Sequence, residues 1–357
     1  MKGWFFRIPL LWANAVCLVL LISFSSGEEN LSGIPGAFAP VDIGPKGSAL
    51  AGAQTGSPDA AEVLIYNPAA LYGAKWSGGY FYASNFDFIP YNFVSGSYRM
   101  NKLPLAFGMG AFQNGDEIYS ENEVYLGAAS SLWIFKGGIS WKLRYASTGS
   151  GGTDFRDPET GLNTKVTGTG LGFSGFDLGL QAVFLKERLI VGGVVKDAFS
   201  AVAWDTENEA GTAKGEYLEF VPTSVKFGVQ VEVSGDLFLY GDLEAAEYVL
   251  PPPFDWEIFE IYSDAKNKMC IGVEWLPLYR FTSIDWIRSL MMFRGGYKEV
   301  IFERDKSKLF AFGGAISFPV HNSGKSVTRV SIDGGYQINT IFEGHNSPVV
   351  GLSISTK

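Results

Sequence analysis

From Trp76 to the end of the chain, apolar and polar residues alternate with a period of two. Ile139, Trp141, Leu143 and Tyr145 alternate with Ser140, Lys142 and Arg144. Val225, Phe227, Val229 and Val231 alternate with Ser224, Lys226, Gln230 and Glu232. Met269, Ile271, Val273 and Trp275 flank Cys270 and Glu274, and Val330 and Ile332 flank Arg329, Ser331 and Asp333. Successive side chains of a strand point to opposite faces, so each segment carries one apolar and one polar face. Two architectures use such strands: a soluble sandwich, or a barrel with lipid outside and water inside.

Strand length and connection length separate the two. The alternating segments lie near 76–86, 91–100, 103–113, 122–135, 137–147, 171–185, 188–200, 222–233, 236–247, 267–276, 289–299, 309–318, 326–338 and 347–355. Many reach ten residues, which suits a tilted membrane strand of about 9–11 rather than a globular strand of about 5–6. Short connections at 101–102, 136, 186–187 and 234–235 alternate with long ones at 114–121, 148–169, 201–221 and 248–266. Short turns on one rim and long loops on the other are the outer-membrane barrel pattern. The connections 277–288 and 319–325 are longer than that rhythm predicts, which leaves the count open by two strands. A sheet edge in hydrocarbon leaves N–H and C=O groups unpaired, so the sheet must close. The expectation is an all-β, transmembrane antiparallel β-barrel of about fourteen strands over residues 76–357. Barrels of eight strands are filled and those of 16–18 enclose a water channel. A lumen between these sizes has room for a plug.

The N-terminus adds a destination. Lys2 and Arg7 precede a mostly apolar run from Ile8 to Phe24, followed by Ser25, Ser26 and Gly27. This reads as a secretory signal peptide over residues 1–27. No later segment reaches the roughly 20 apolar residues of a membrane helix. Yet hydrophobic residues make up 46% and aromatic residues 15% of the chain, with 44 glycines. The composition therefore supports membrane strands and a bacterial outer-membrane location. Loss of Lys2 and Arg7 moves the formal net charge from −9 to −11. No basic cluster offers to neutralise phosphates, so nucleic acid is not an expected partner. Cys17 falls in the leader and leaves Cys270 as the mature chain's cysteine, so no internal disulfide is expected.

Residues 28–75 form the expected plug segment. Its core, Ala39 to Trp76, is rich in Gly and Ala, and Gly44, Gly47, Gly52 and Gly56 let backbone approach backbone. Near its end stands Tyr66-Asn67-Pro68-Ala69. Asn67 is a good N-cap, Pro68 suits the first helical position, and Gly73 can end the turn. This stretch resembles the N-terminal plug of the FadL-type outer-membrane transporters and of the related PorV-like and UPF0164 proteins. Their Gly/Ala-rich run, Asp, and Tyr/Trp-Asn-Pro-Ala motif map onto Gly44, Gly52, Asp59, Tyr66, Asn67, Pro68 and Ala69. Ala60 stands where a second Asp is common, and Ala70 where a Gly often follows. The final strand also lacks the terminal aromatic residue usual in outer-membrane barrels. The resemblance implies fourteen strands around a plug. It also implies passive uptake or exchange of hydrophobic small molecules such as long-chain fatty acids. A PorV-like role implies instead a barrel scaffold that docks secreted proteins. Outer-membrane lipid is the surrounding partner on either reading.

Catalytic chemistry finds little support. His321 and His345 both fall in turn-like segments. Gly170, Gly172 and Gly175 match G-x-G-x-x-G, but inside a strand pattern with no helix following. Asp154, Asp157 and Glu159 read as a solvated acidic loop rather than a calcium site. No enzyme activity, metal or cofactor is expected. Period-two facing places Lys142, Arg144, Lys226, Glu232, Asp242, Glu244, Glu274, Arg294, Lys298, Arg329 and Asp333 inside the lumen, with Glu274 and Arg294 on adjacent strands. Pro104, Gly108 and Gly110 weaken the third strand's pairing. In the resembling family that strand has a kink that opens the wall to lipid, which makes these three the expected wall opening.

Overall fold

The computed structural model describes residues 44–57, 60–85, 89–115, 119–148, 153–156, 163–208, 214–221, 223–248, 268–300, 308–322, 327–339 and 346–356. The expected signal peptide, residues 28–43, Asp59, Asp157, Glu159 and His345 lie outside that set. Seventeen strands join in one sheet. They are β1 Trp76–Asn85, β2 Ile89–Arg99, β3 Leu105–Gly115, β4 Tyr119–Leu132, β5 Phe135–Thr148 and β6 Thr153–Arg156. Next come β7 Asn163–Phe184, β8 Leu189–Ala198, β9 Ala201–Asn208, β10 Lys214–Phe220, β11 Thr223–Ser234 and β12 Leu237–Tyr248. The last are β13 Lys268–Trp275, β14 Met291–Val300, β15 Lys308–Asn322, β16 Val327–Asn339 and β17 Asn346–Thr356. Fourteen of these form the wall of a closed antiparallel barrel. Closure comes from β1 against β17, in register from Trp76 opposite Thr356 to Ala83 opposite Val349. Closure leaves the sheet of the described residues without a free edge, as surrounding hydrocarbon requires.

The remaining three strands, β6, β9 and β10, continue the wall on the long-loop side. β6 pairs with the first residues of β7, β9 with the next, and β10 with β9. The sequence reading had assigned 148–169 and 201–221 to loops. Above the bilayer the outer face no longer needs apolar residues, so Asp205, Glu207 and Lys214 break the alternation while the ladder persists. The turn expected at Lys136 lies instead at Trp133–Ile134, with Trp133 at φ 58°. The unbroken apolar run Leu132–Phe135 hides that turn, because side chains at a membrane interface stay apolar through it. The connection after β13 is no missing strand pair. It folds as a one-turn 3-10 segment, Pro277–Arg280, and a short helix, Asp285–Arg288.

The facing follows the period-two pattern. Phe227, Val229 and Val231 on β11, Ile271 and Val273 on β13, and Phe310, Phe312 and Ile316 on β15 are exposed on the outside. Gln230, Asp242, Glu274 and Arg294 are buried inside. An apolar outer band around a closed, polar-lined barrel defines an outer-membrane protein, and this chain resides in the bacterial outer membrane.

The lumen is occupied on the short-turn side. Residues 44–57 and 60–75 lie against the inner wall, where they form α1 Pro45–Ala49, α2 Val63–Tyr66 and a 3-10 turn Pro68–Tyr72. Glycines on the wall make the room. Gly108 stands opposite Gly127, Gly138 opposite Gly179, Gly192 opposite Gly228, Gly272 opposite Gly296 and Gly313 opposite Gly335. A Cβ at Gly138 would lie 2.4 Å from Pro68 C, and one at Gly296 would lie 2.4 Å from Leu50 C. These facing pairs form a girdle at plug level and account for part of the chain's high glycine content.

The plug and its seat as candidate functional site

The Asn67-Pro68 turn is the tightest junction between plug and wall. Asn67 has extended backbone, φ −159° and ψ 106°, and its Oδ1 accepts the Ala69 N–H at 3.1 Å. Its Nδ2 donates to Thr55 O at 2.9 Å and to Leu180 O of β7 at 3.1 Å. One side chain therefore caps the 3-10 turn, ties it to the earlier half of the plug and ties both to the barrel. Pro68 and Ala69 press on Gly138 and Gly179, where no side chain larger than hydrogen fits. Gly73 ends the turn with ordinary right-handed backbone, and its N–H donates to Ala70 O at 2.8 Å. Tyr66 packs its ring end on Gly47, which joins α2 to α1.

Glu62, which the sequence did not single out, holds the plug together. Its carboxylate accepts the N–H groups of Lys46 and Gly47, each at 3.0 Å, and the side-chain amide of Gln54. Wall side chains then fix the plug from several strands. Asp242 Oδ2 accepts Gln54 N at 3.0 Å and Thr55 N at 2.7 Å. Gln181 donates to Gly56 O, Gln337 to Ser48 O and Ser77 to Ala60 O. A lone Glu in an apolar run was the available signal for Glu62, and it does not say which donors will arrive.

Opposite these bonds lies an apolar arc. Leu64, Ile65 and Leu71 of the plug pack with Phe81, Tyr91, Phe93, Phe112 and Tyr125 of β1–β4, and with Val349 of β17. Phe81 stacks on Phe93 with centroids 6.0 Å apart, and Tyr125 meets Phe93 edge-on at 6.0 Å. Tyr91 and Phe112, nearer the long-loop rim, meet at 5.7 Å. These buried rings and the plug's Leu64 and Leu71 form one packed cluster that extends from the plug toward the long-loop side.

The lumen charges form separate clusters. Lys142 Nζ lies 2.8 Å from both Asp177 Oδ1 and Asp197 Oδ1. Arg144 bonds Asp197 and Ser200, and its Nε lies 3.6 Å from Glu123 Oε2. On the neighbouring strands Lys226 and Lys268 both pair with Glu244, at 2.9 and 3.3 Å. Both clusters lie above the plug, toward the long loops. Toward the short turns, Arg294 pairs with Glu274 at 2.7 Å and with Asp333 at 2.9 Å. Lys46 of α1 sits over the Tyr240 ring at 5.0 Å, and Tyr240 donates to Glu274 at 3.3 Å. Arg329 stands apart, opposite Pro319 on β15 and Ser355 on β17. Facing alone revealed the cations. Asp197 was hidden because it sits at a break, in left-handed backbone with φ 57°.

That break is one of several irregular places in the wall. The β5–β7 register shifts between Lys142 and Arg144, and the β7–β8 register shifts between Phe176 and Leu178. Direct pairing of β7 stops at Leu171 opposite Ala203 and resumes at Phe176 opposite Ala198. Side chains bridge the lapse: Ala201 N donates to Ser174 Oγ at 3.0 Å, and Asp197 N donates to Asp177 Oδ1 at 2.9 Å. By contrast, the expected opening at β3 is fully laddered. β3 pairs without a shift to β2 and β4, Pro104 precedes the strand, and Gly108 and Gly110 face Leu64 of the plug. These glycines admit the plug rather than interrupt the sheet.

A closed barrel of fourteen strands with an internal N-terminal plug places this chain among outer-membrane barrels of the FadL-type fold. No protein-family model matches the chain, and no curated protein matches its sequence. Among solved structures, the P. putida toluene transporter TodX is similar, with a TM-score of 0.51 at 14% identity, covering 88% of this chain and 98% of its own. The Ralstonia pickettii toluene transporter TbuX gives a TM-score of 0.52 at 13% identity, over 90% and 99%. A Pseudomonas aeruginosa FadL homologue gives 0.51 at 11% identity, over 87% and 97%. At these identities the likeness is one of fold.

Proposed function

We propose that the protein is a passive outer-membrane channel for hydrophobic small molecules. On this reading residues 1–27 are a cleaved export signal, 28–75 the plug and 76–357 the channel wall. The observation that carries it is the aromatic cluster of Tyr91, Phe112, Phe93 and Phe81 with Leu64 and Leu71 of the plug. A docking scaffold has no need of an aromatic cluster that extends from the plug toward the long-loop side. Two of the structurally similar proteins are toluene transporters, which supports the same class. Substrates enter at the long loops, bind along the cluster, and leave past a displaced plug or through the side-chain-bridged lapse beside Asp197. Monoaromatic hydrocarbons and long-chain fatty acids both suit an aromatic lining. Lys142 and Arg144 are already paired with carboxylates, which favours the uncharged class, since a fatty acid must compete with Asp197 for its cation.

The test uses reconstituted vesicles, labelled toluene, a labelled long-chain fatty acid, and Asn67→Ala. Removing the cap costs about 0.5–2 kcal/mol locally. Loss of the bonds to Thr55 and Leu180 loosens the plug further. The barrel stays heat-modifiable, uptake changes several-fold, and Cys270, buried beside Leu50 of the plug, becomes reactive to maleimide. Absence of uptake of both probes in both forms overturns the channel. Altered binding of secreted proteins in that case supports the scaffold.

A further inference from the structure

We propose that the short-turn rim is a binding surface for anionic phospholipid headgroups. The chain carries a formal net charge of −9, yet the described connections of this rim carry Lys102, Lys186, Arg188, Arg280 and Arg288 against Glu187, Asp236 and Asp285. Its connections repeat one composition, an exposed large apolar side chain beside a cation. Leu103 follows Lys102, Leu185 precedes Lys186 and Arg188, and Phe281 follows Arg280. Phe281 is 84% and Leu185 71% exposed, and Trp133 on the adjacent turn is 87% exposed. The opposite rim differs: the β9–β10 hairpin presents Asp205, Glu207 and Glu216 with Lys214.

The rim's apolar residues continue the lipid-facing band. Leu132 and Phe135 flank Trp133, Phe184 precedes Leu185, and all are exposed on the outside. Side chains of this kind bury an apolar body at the acyl boundary and keep a polar or charged end at headgroup level. The Arg188 and Arg280 guanidinium groups are exposed to the surface, each beside a carboxylate. Arg188 is 3.8 Å from Glu232 with its side chain 68% exposed, and Arg280 is 2.7 Å from Asp236 with its side chain 72% exposed. The turn that presents Leu185 and Lys186 runs through left-handed backbone at Leu185, Lys186 and Glu187, with φ of 52°, 57° and 71°. Three successive non-glycine residues in that region are unfavourable, and a relaxed two-residue turn would not present these side chains. Charge complementarity and continuity with the lipid face both select phospholipid over a soluble partner.

The test uses the full-length mature protein in bilayer discs of phosphatidylcholine with and without phosphatidylglycerol. Lipids that remain after delipidation are counted by mass spectrometry. A cation at a membrane surface favours anionic lipid by roughly fivefold. Wild type is therefore expected to retain phosphatidylglycerol about tenfold over its share of the bilayer. The triple variant Lys102→Gln, Lys186→Gln, Arg188→Gln should retain lipid in proportion to the mixture. In about 1 M salt, where the Debye length is about 3 Å, wild type should lose its preference too. The salt arm needs no variant, so failure of the triple variant to assemble leaves the proposal testable. A wild type without preference, or a variant with undiminished preference, overturns it. So does a salt-insensitive preference. Loss of a co-purifying periplasmic protein from the variant, with no lipid preference in wild type, makes the rim a protein dock instead.

Discussion

The arc of wall from β17 through β4 and the arc from β5 through β13 grip one plug by different forces. The first presents Phe81, Phe93 and Tyr125 to Leu64 and Leu71 and holds the plug mainly by buried apolar area, with Ser77, Ser95 and Arg99 donating to the carbonyls of Ala60, Ala61 and Tyr72. Apolar contact is non-directional and tolerates sliding. The second presents Asp242, Gln181 and the Leu180 carbonyl to Gln54, Thr55, Gly56 and Asn67, and holds it by directed hydrogen bonds. Those bonds fail together once the geometry shifts. The break beside Asp197 lies on the polar arc, and the regular β1–β4 ladder on the apolar arc. Order in the wall thus follows the non-directional contacts, while the bonded side carries this break.

The strongest perturbation of this contrast is Asp197→Ala. It leaves Lys142 and Arg144 facing each other without their shared carboxylate, beside the lapse in the wall. Truncating one partner of a buried ion pair costs roughly 3–5 kcal/mol. The expected result is a marked fall in the temperature at which the heat-modifiable form is lost, with new proteolysis confined to the β7–β9 region. Cleavage in β1–β4 instead would mean that the two arcs are one cooperative unit.

The polar arc is polar on its inner face alone, and Val229 of β11 tests that. Val229→Arg places a charge toward lipid near the strand's centre and costs roughly 2–4 kcal/mol. Glu232→Gln, three residues on and half-buried in the lumen, should stay within about 0.5 kcal/mol, because its contact with Arg188 is long at 3.8 Å. Urea titration in vesicles measures both. Equal losses would contradict the facing.

Gly138→Val sharpens the boundary between the arcs. The new side chain meets Pro68 and Ala69, and overpacking of this kind costs about 1–3 kcal/mol. The barrel can close without the plug's turn, so the strain should fall on the plug. Maleimide labelling of Cys270 should rise while heat-modifiability persists. Unchanged labelling would show that the wall, not the plug, gives way.

Much of this was legible in the sequence because lipid imposes a strict rule. Every membrane-facing residue must be apolar and every ladder must continue, so the alternation around Phe227, Ile271 and Ile332 marked strands, facing and closure at once. Glu274 and Arg294 were visible as inward residues on adjacent strands for the same reason. Where lipid stops, the rule stops. The β9–β10 hairpin and the turn at Trp133 were misplaced, since outside the hydrocarbon no periodicity is enforced. The plug motif announced a capped turn at Asn67, because capping is local chemistry of neighbouring residues. Only the tertiary structure decided what the rest of Asn67 holds, that Glu62 gathers the N–H groups of α1, and that Asp197 joins Lys142 to Arg144. It also decided that Gly108 and Gly110 lie against Leu64 of the plug. Each of these unites residues far apart in the chain around a curved sheet. Their meeting depends on barrel closure and on which strands stand opposite across the lumen, and neither period nor spacing encodes that.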